Sequence, residues 1–155
     1  MSSRRGFASI GLFNPKCRWN IGGVLRASHC YGASLIVTCG NRGCWNPALT
    51  DTTRAHKHVP IINVHTLEDF RKCIPKTAVP IAVDIVPGAR NICGYVHPER
   101  AFYIFGPEDG TLGHKIIDFC RDVIYVPTNH CMNLAATANV ILYDRCVKRG
   151  DLQGV

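Results

Sequence analysis

Short runs of apolar and β-branched residues alternate along this chain with stretches of helical periodicity, and this alternation constrains the fold more than any other feature of the sequence. Six of the short runs predict β-strands. They cover residues 7–13, 34–39, 61–64, 80–85, 101–105 and 123–126. Because strands and helices alternate, we expect an α/β fold with a mostly parallel central sheet flanked by helices.

The stretches between these runs predict four helices. They cover about residues 20–31, a segment that opens at Thr66, residues 113–121 and residues 133–148. Asn20 and Asn133 are the expected N-terminal caps of the first and last helices, because an asparagine side chain can accept a hydrogen bond from a free backbone N–H. Gly32 is expected to end the first helix. The apolar stripe of that helix contains Ile21, Val24, Leu25 and Ser28.

The size of the chain favours one domain. Its 155 residues leave room for one hydrophobic core of ordinary size. Apolar residues make up 46% of the sequence and charged residues 19%, a balance that excludes wholesale disorder. The sequence contains no internal repeat, low-complexity segment or linker, so residues 1–155 are expected to form a single domain.

The charge of the chain points to a polyanionic partner. Eighteen Lys and Arg residues against eleven Asp and Glu residues give a formal net charge of +7. Nucleic acid is the first candidate for such a partner. The alternative is a basic protein whose charge only keeps it dispersed.

The cysteines indicate a reducing compartment. Nine is an odd number, and no secretory signal is expected before them, so we expect free thiols in the cytoplasm. The close pair Cys39 and Cys44 lacks a second pair at zinc spacing, and the nearby His56 and His58 complete no recognised zinc module, so no metal is expected. The apolar runs are far shorter than the roughly 20 residues that cross a bilayer, so no membrane association is expected.

Three segments deserve inspection as binding loops, because ligands of open parallel sheets lie beyond the carboxyl ends of the strands. They cover residues 14–26, 106–113 and 127–133. The second has three glycines, which permit close approach of a ligand to the backbone. It lacks both the Walker and the dinucleotide-binding patterns, and Glu108 and Asp109 favour a cationic or hydroxyl-rich ligand over a phosphate. Taken singly, each segment is also compatible with ordinary turn and cap chemistry.

Taken together, three motifs resemble those of SpoU-type (TrmH-like) RNA ribose methyltransferases of the SPOUT superfamily, in the same order and at similar spacing. They are NIGGVLR at 20–26, IFGPEDGTLG at 104–113, and VP at 126–127 followed by CMNLAA at 131–136. The resemblance covers almost the whole chain. It is strongest to the short stand-alone members that methylate transfer RNA.

The resemblance implies a C-terminal deep trefoil knot whose loops bind S-adenosyl-L-methionine, and a homodimer that pairs through its first and last helices. A knot is otherwise excluded by general topology rules. The residues that would surround the cofactor are Asp84, Ile85, Phe105, Gly106, Glu108, Gly110, Val126, Cys131, Met132 and Leu134.

The resemblance also assigns the catalytic residues. Arg26 is the expected catalytic residue, Asn20 and Asn133 would position it and the substrate, and Glu108 would brace the site. Because arginine has a very high pKa, we expect Arg26 to hold the ribose 2′-hydroxyl and an adjacent phosphate and to stabilise the forming alkoxide, rather than to act as a base. Many members have Ser where this chain has Cys131, whose thiol is a weaker hydrogen-bond donor.

The leading hypothesis is therefore 2′-O-methylation of an RNA ribose, in transfer RNA rather than ribosomal RNA. The alternatives are a methyltransferase acting on ribosomal RNA and a non-catalytic knotted module for RNA binding or assembly. A methyltransferase for a small molecule or a protein is disfavoured by the net charge of +7. Trp19, Trp45 and Tyr95 are candidates for stacking on RNA bases, with packing or dimer contact as the other interpretation.

Overall fold

A seven-stranded sheet forms the centre of the computed structural model, which describes residues 5–42 and 54–152. The strands are β1 (Phe7–Phe13), β2 (Ile36–Cys39), β3 (Ile61–Val64), β4 (Val79–Val83), β5 (Arg90–Asn91), β6 (Arg100–Phe105) and β7 (Asp122–Tyr125). Their order across the sheet is β3-β2-β1-β6-β4-β7-β5, and every neighbouring pair is parallel. The predicted α/β architecture with a mostly parallel sheet is confirmed.

Four α-helices and two short 3-10 turns connect the strands in the described residues. The helices are α1 (Arg18–Cys30), α2 (Leu67–Cys73), α3 (His114–Ile117) and α4 (Leu134–Arg149), and the turns are Ala55–Lys57 and Ile92–Gly94. Helices α1 and α4 cover one face of the sheet. The predicted apolar stripe of α1, which contains Ile21, Val24, Leu25 and Ser28, is buried there. The core on the other face contains Phe70 of α2, Phe102 of β6 and Ile116 of α3.

The predicted strands differ from the observed ones mainly at their ends. The bounds of β1 and β3 agree with the prediction residue for residue, and the other four predicted strands differ by one or two residues at one or both ends. The prediction missed β5, which has only two residues, both exposed. So short an edge strand shows no alternation of apolar and polar residues, which is the signal that predicts strands.

The helix caps are partly as predicted. Thr66 and Asn133 cap α2 and α4, since their side-chain oxygens accept hydrogen bonds from backbone N–H groups three residues ahead. The prediction for Asn20 is wrong: α1 begins at Arg18, and Asn20 lies within its first turn. Helix α3 is also shorter than the predicted 113–121, because tighter turns follow it, in which Phe119 N–H donates to Ile116 O.

The strand order also bears on the expected knot. Strand β7 lies between β4 and β5, although β4 and β5 precede it in sequence. This order is consistent with the expected knot. The knot itself stays a prediction.

A network of buried polar side chains fastens α4 to the amino end of the sheet. Arg145 is only 4% exposed. Its guanidinium donates to the backbone oxygens of Pro98 (2.6 Å), Glu99 (2.7 Å) and Phe7 (3.1 Å). Three carbonyls at the starts of β1 and β6 thus share one cation from the last helix.

His97 makes a second link between β6 and α4. Its Nε2 lies 2.7 Å from the Asp144 carboxylate and its Nδ1 lies 2.6 Å from the Tyr103 hydroxyl. Burial lowers the pKa of His97 and outweighs the opposite effect of Asp144, whose charge is already matched by Lys148 Nζ at 2.8 Å. Burial also raises the pKa of Tyr103, so its hydroxyl keeps the proton that it donates to the neutral ring of His97.

Candidate functional site

A cavity of about 570 Å³ opens at the carboxyl end of the sheet. It is bounded by the loops that follow β4, β6 and β7 and by the first turns of α1 and α4. All ten residues predicted to surround a cofactor line it: Asp84, Ile85, Phe105, Gly106, Glu108, Gly110, Val126, Cys131, Met132 and Leu134. The structure thus brings together three segments that are far apart in sequence, as expected for the ligand site of a parallel sheet.

Asp84 ties two of these loops together at the cavity wall. Its Oδ2 accepts a hydrogen bond from Leu112 N–H (2.8 Å) and its Oδ1 accepts one from Ile85 N–H (2.8 Å). Its own N–H donates to Ile124 O at the end of β7 (3.0 Å). A single residue therefore connects the ends of β4 and β7 with the glycine-rich loop after β6.

Glu108 binds the chain at the start of α1, where the sequence predicted that Asn20 would act as a cap. Its carboxylate accepts hydrogen bonds from Lys16 N–H (2.7 Å), Cys17 N–H (3.1 Å) and the Asn20 side-chain amide (2.9 Å). Partial burial on its own would raise the pKa of Glu108, but these donors outweigh it and lower the pKa. Glu108 is therefore an anion held against the start of α1, and Asn20 is a donor rather than a cap.

Asp109 is also neutralised. Arg42 Nη2 contacts both of its oxygens, at 2.8 and 2.9 Å, and Lys16 Nζ lies 3.6 Å from Oδ2. The hydrogen bond from Arg42 is the main reason that the pKa of Asp109 lies below its ordinary value. The sequence interpretation took Glu108 and Asp109 as free charges facing a ligand, whereas both are engaged with the protein.

The loop before α4 contributes the third wall. Asn133 Oδ1 accepts a hydrogen bond from Ala136 N–H (2.7 Å), which starts the helix, and Thr128 Oγ1 donates to His130 O (2.7 Å). Cys131 is an exposed free thiol at the cavity lining. Its position beside the helix start leaves it accessible to a ligand in the cavity.

Arg26 lies apart from this group. It is exposed on α1, does not line the cavity, and makes no hydrogen bond or ion pair with the residues that the structure describes. Asn20 and Asn133 contact Glu108 and Ala136 instead of Arg26. Within one chain, the expected positioning of Arg26 by these two asparagines is not observed.

The prediction did not single out several residues of the site. The cavity is also lined by Val83, Pro107, Thr111, Tyr125, Thr128 and Thr137, of which Pro107, Thr111 and Thr128 lie in the predicted binding segments. Lys16 lies in the predicted segment 14–26, but its ion pair with Asp109 was not predicted. Arg42 was missed, and because it follows the end of β2, the rule that pointed to the other loops could have found it.

The other expectations concern metals and membranes. Among the described residues, 5–42 and 54–152, no group of three or more His, Cys, Asp or Glu side chains is arranged to hold a metal ion. Cys39 is buried and donates to Thr66 O, and Cys44 lies outside the described residues. None of the helices that the structure describes is long and apolar enough to span a membrane.

A parallel α/β fold with a cavity built from three strand-end loops defines the class of ligand-binding α/β domains. The sequence comparison is more specific: the model of the SpoU rRNA Methylase family matches residues 8–143, and the chain belongs to this family. A comparison with curated proteins finds no match.

Solved structures with the same fold include several methyltransferases. The SpoU methyltransferase AviRb from Streptomyces viridochromogenes, solved with AdoMet, superposes with a TM-score of 0.83 at 18% identity, over 97% of this chain and 63% of AviRb. The A. aeolicus TrmH/SpoU tRNA modifying enzyme gives 0.80 at 17% identity, over 96% of this chain and 78% of that one.

A third structure, described for the 2-OH methylation of C/U34 on tRNA, gives a TM-score of 0.78 at 19% identity, over 95% of this chain and 99% of that one. The chain thus spans less than two thirds of AviRb and nearly all of this third protein. At these identities, the likeness establishes the fold.

Proposed function

We propose that the protein transfers a methyl group from S-adenosyl-L-methionine to a ribose 2′-hydroxyl of RNA. Membership of the SpoU family supports methyl transfer to RNA. The observation that carries the proposal is the assembly of three family motifs around one cavity at the carboxyl end of the sheet.

The cavity suits this methyl donor. Its volume of about 570 Å³ is in the usual range for a site that holds a molecule of this size. Phe105, Leu134 and Val126 offer apolar walls, and the carboxylates of Asp84 and Glu108 supply negative charge near the lining. When bound, the cofactor supplies a methyl group on a positively charged sulfonium, which a 2′-oxygen can displace in line.

Gly110 offers a direct route for the ligand to the backbone. A Cβ added there would meet only Pro107 Cγ, at an ordinary contact distance of 3.6 Å, so the protein itself does not require glycine at this position. The role of this glycine is therefore to leave room in the cavity, and the proposal predicts that a larger side chain blocks the cofactor.

Arg26 is the residue that we assign to the RNA. Its exposed guanidinium is a planar cation that can hold a 2′-hydroxyl together with a neighbouring phosphate. Alignment of the hydroxyl and stabilisation of the forming alkoxide lower the barrier, and the hydroxyl proton leaves to solvent. In this role Arg26 donates hydrogen bonds and does not act as a base.

Arg26 does not line the cavity of its own chain, which favours a homodimer in which it serves the cofactor of a partner. The outer face of α4 carries two exposed apolar side chains, Tyr143 (52%) and Val147 (50%), one turn apart. Pairing through α1 and α4 would cover this face. Light scattering tests the dimer, and a fully active monomer contradicts it.

Transfer RNA is the proposed substrate class. The A. aeolicus relative modifies tRNA, and the structure of which this chain covers 99% is described for methylation of tRNA. Ribosomal RNA is the second candidate, because the family is described as one of rRNA methylases. We place the enzyme in the cytoplasm, in keeping with the eight free cysteines among the described residues.

Titration calorimetry with S-adenosyl-L-methionine tests the cofactor, using Gly110→Val against Gly94→Val as the matched control. A Cβ at Gly94 meets nothing within 4 Å, and this glycine does not line the cavity. We expect Gly110→Val to weaken binding by at least tenfold and Gly94→Val to leave it unchanged. A folded protein that binds neither the cofactor nor its demethylated product refutes the assignment.

Mapping of 2′-O-methyl groups at nucleotide resolution in total RNA, with and without the protein, identifies the substrate. Loss of a methyl group from a tRNA supports the proposal, and loss from rRNA selects the second candidate. Cofactor binding with no change at any nucleotide indicates a non-catalytic module.

A further inference from the structure

Three aromatic residues were named above as candidates for stacking on RNA bases. Of the two that the structure describes, Trp19 is exposed and Tyr95 is buried. Its side chain is 59% exposed in the first turn of α1. Tyr95 is only 5% exposed, and its hydroxyl donates to Asp122 (2.9 Å), so its ring belongs to the core. Trp45 lies outside the described residues.

Two exposed cations lie close to this exposed indole in the chain. Arg18 is exposed and makes no hydrogen bond or ion pair within residues 5–42 and 54–152. The side chain of Lys16 is 63% exposed, and the carboxylate nearest to it is Asp109, at 3.6 Å. An exposed aromatic ring with two exposed cations within three residues of it in the chain fits a nucleic acid, in which flat bases alternate with phosphates.

Trp19 lies on the helix that contains both Asn20 and Arg26, two residues assigned to the proposed function. The next residue, Asn20, lines the cavity and contacts Glu108. Trp19 and Arg26 are seven residues apart on one helix, which puts them on the same face with a separation of about 10 Å along the axis. This distance is comparable to the span of one or two nucleotides.

We propose that Trp19 stacks on an unpaired RNA base close to the methylated nucleotide, while Arg18 and Lys16 contact the flanking phosphates. This inference rests on the proposed function, since it assumes an RNA bound across the start of α1. It makes the indole a determinant of substrate affinity that tolerates different bases, because every base has a face on which to stack.

A dimer contact is the other role open to an exposed tryptophan, and Trp19 lies away from the apolar face of α4 through which the proposed dimer pairs. Gly23 of α1 packs on Ala135 of α4, and Tyr31 packs on Tyr143. The two helices are therefore parallel, and Trp19 lies at the opposite end from the exposed apolar side chains of α4.

Fluorescence quenching tests the stacking directly. The sequence has two tryptophans, so a Trp45→Phe background leaves Trp19 as the only reporter. A short oligoadenylate is compared with an abasic ribose-phosphate chain of the same length, which keeps the phosphates and lacks the bases. We expect quenching by the first and little by the second, and equal quenching by both overturns the proposal.

Substitution gives the second readout. We expect Trp19→Ala to weaken oligoadenylate binding about tenfold and Trp19→Tyr to retain most of it, with affinity for S-adenosyl-L-methionine unchanged in both. The KM for total tRNA rises correspondingly in Trp19→Ala. Unchanged RNA binding, or a Trp19→Ala protein that becomes monomeric, refutes the stacking role.

The two proposals fail separately. Normal methylation and a normal KM in Trp19→Ala remove the stacking role and leave the methyltransferase intact. Failure of the unsubstituted protein to bind the cofactor removes the methyltransferase, whether or not the oligoadenylate quenches Trp19.

Discussion

The two ends of the sheet hold their loops with side chains of opposite charge. At the carboxyl end, the carboxylates of Asp84 and Glu108 accept hydrogen bonds from backbone N–H groups. At the amino end, Arg145 and Lys148 donate to backbone carbonyls. The donors at the carboxyl end are backbone N–H groups of loop residues, and the acceptors at the amino end are carbonyls of residues next to the strand starts and a 3-10 turn.

This difference separates ligand binding from stability. The carboxylates at the carboxyl end organise loops around a cavity, whereas the amino end buries its polar groups in one network. Substitutions at the first end should change activity with little loss of stability, and substitutions at the second should do the reverse. Four measurements test this division.

The largest expected effect is that of Arg26→Ala. We expect a loss of about a thousandfold in kcat/KM, the scale of removing a donor from a developing oxyanion, with unchanged affinity for S-adenosyl-L-methionine and an unchanged unfolding midpoint. Arg26→Lys should also be poor, because lysine lacks the planar group of donors. Arg100→Ala, which removes an exposed arginine at the amino end, is the matched control. Near-normal activity of Arg26→Lys would mean that charge alone suffices.

Arg145→Met tests the contribution of the amino end to stability. The substitution leaves three carbonyls without their shared cation, and we expect the free energy of unfolding to fall by about 3 kcal/mol or more. Urea denaturation measures the change, and calorimetry on the folded fraction should give normal cofactor affinity. Weaker cofactor binding in a stable Arg145→Met protein would show that the two ends are coupled.

As the pH is lowered, the protein should lose the stability contributed by His97 at the amino end before that contributed by Glu108 at the carboxyl end. The folded pKa of His97 lies below its ordinary value of 6.5, so the unfolded chain binds more protons and stability falls as the pH drops below 6.5. The slope is at most about 1.4 kcal/mol per pH unit. Glu108 has a lowered pKa, so its contribution is complete above its ordinary value of 4.5 and is lost only at lower pH.

Urea unfolding between pH 7 and pH 4 separates these two steps. We expect His97→Gln to remove the first step and Glu108→Gln to leave it unchanged. A first step that persists in His97→Gln assigns the titration to another group.

Cys131→Ser carries the smallest expected effect. It introduces the serine that the resemblance to the family suggests for this position, and a hydroxyl is the stronger hydrogen-bond donor, so activity should be equal or up to a few times higher. Steady-state kinetics on the identified RNA measures it. Loss of turnover in Cys131→Ser together with an active Arg26→Ala would replace the whole mechanism with thiol chemistry.

The features that were predicted correctly from the sequence are determined by residues close to one another in the chain. The bounds of β1 and β3 and the caps at Thr66 and Asn133 follow from residues within a few positions of one another. The resemblance to the family predicted ten of the residues that line the cavity, and the strand-end rule separately predicted the loops that contain most of them.

The features that were missed depend on residues far apart in sequence. The anion at the start of α1 is Glu108, which is 88 residues away from Asn20, so no local pattern could show that Asn20 is a donor rather than a cap. The two-residue β5 exists because β7 lies beside it.

The strand order has a consequence for the time at which the protein becomes functional. Strand β7 completes the sheet between β4 and β5, and the cavity is lined by residues from Asn20 to Thr137. A ribosome must therefore release most of the chain before the site can assemble. The newly made protein passes through a stage in which β4 and β5 lack the strand that lies between them, and the enzyme matures only after its last helix has been synthesised.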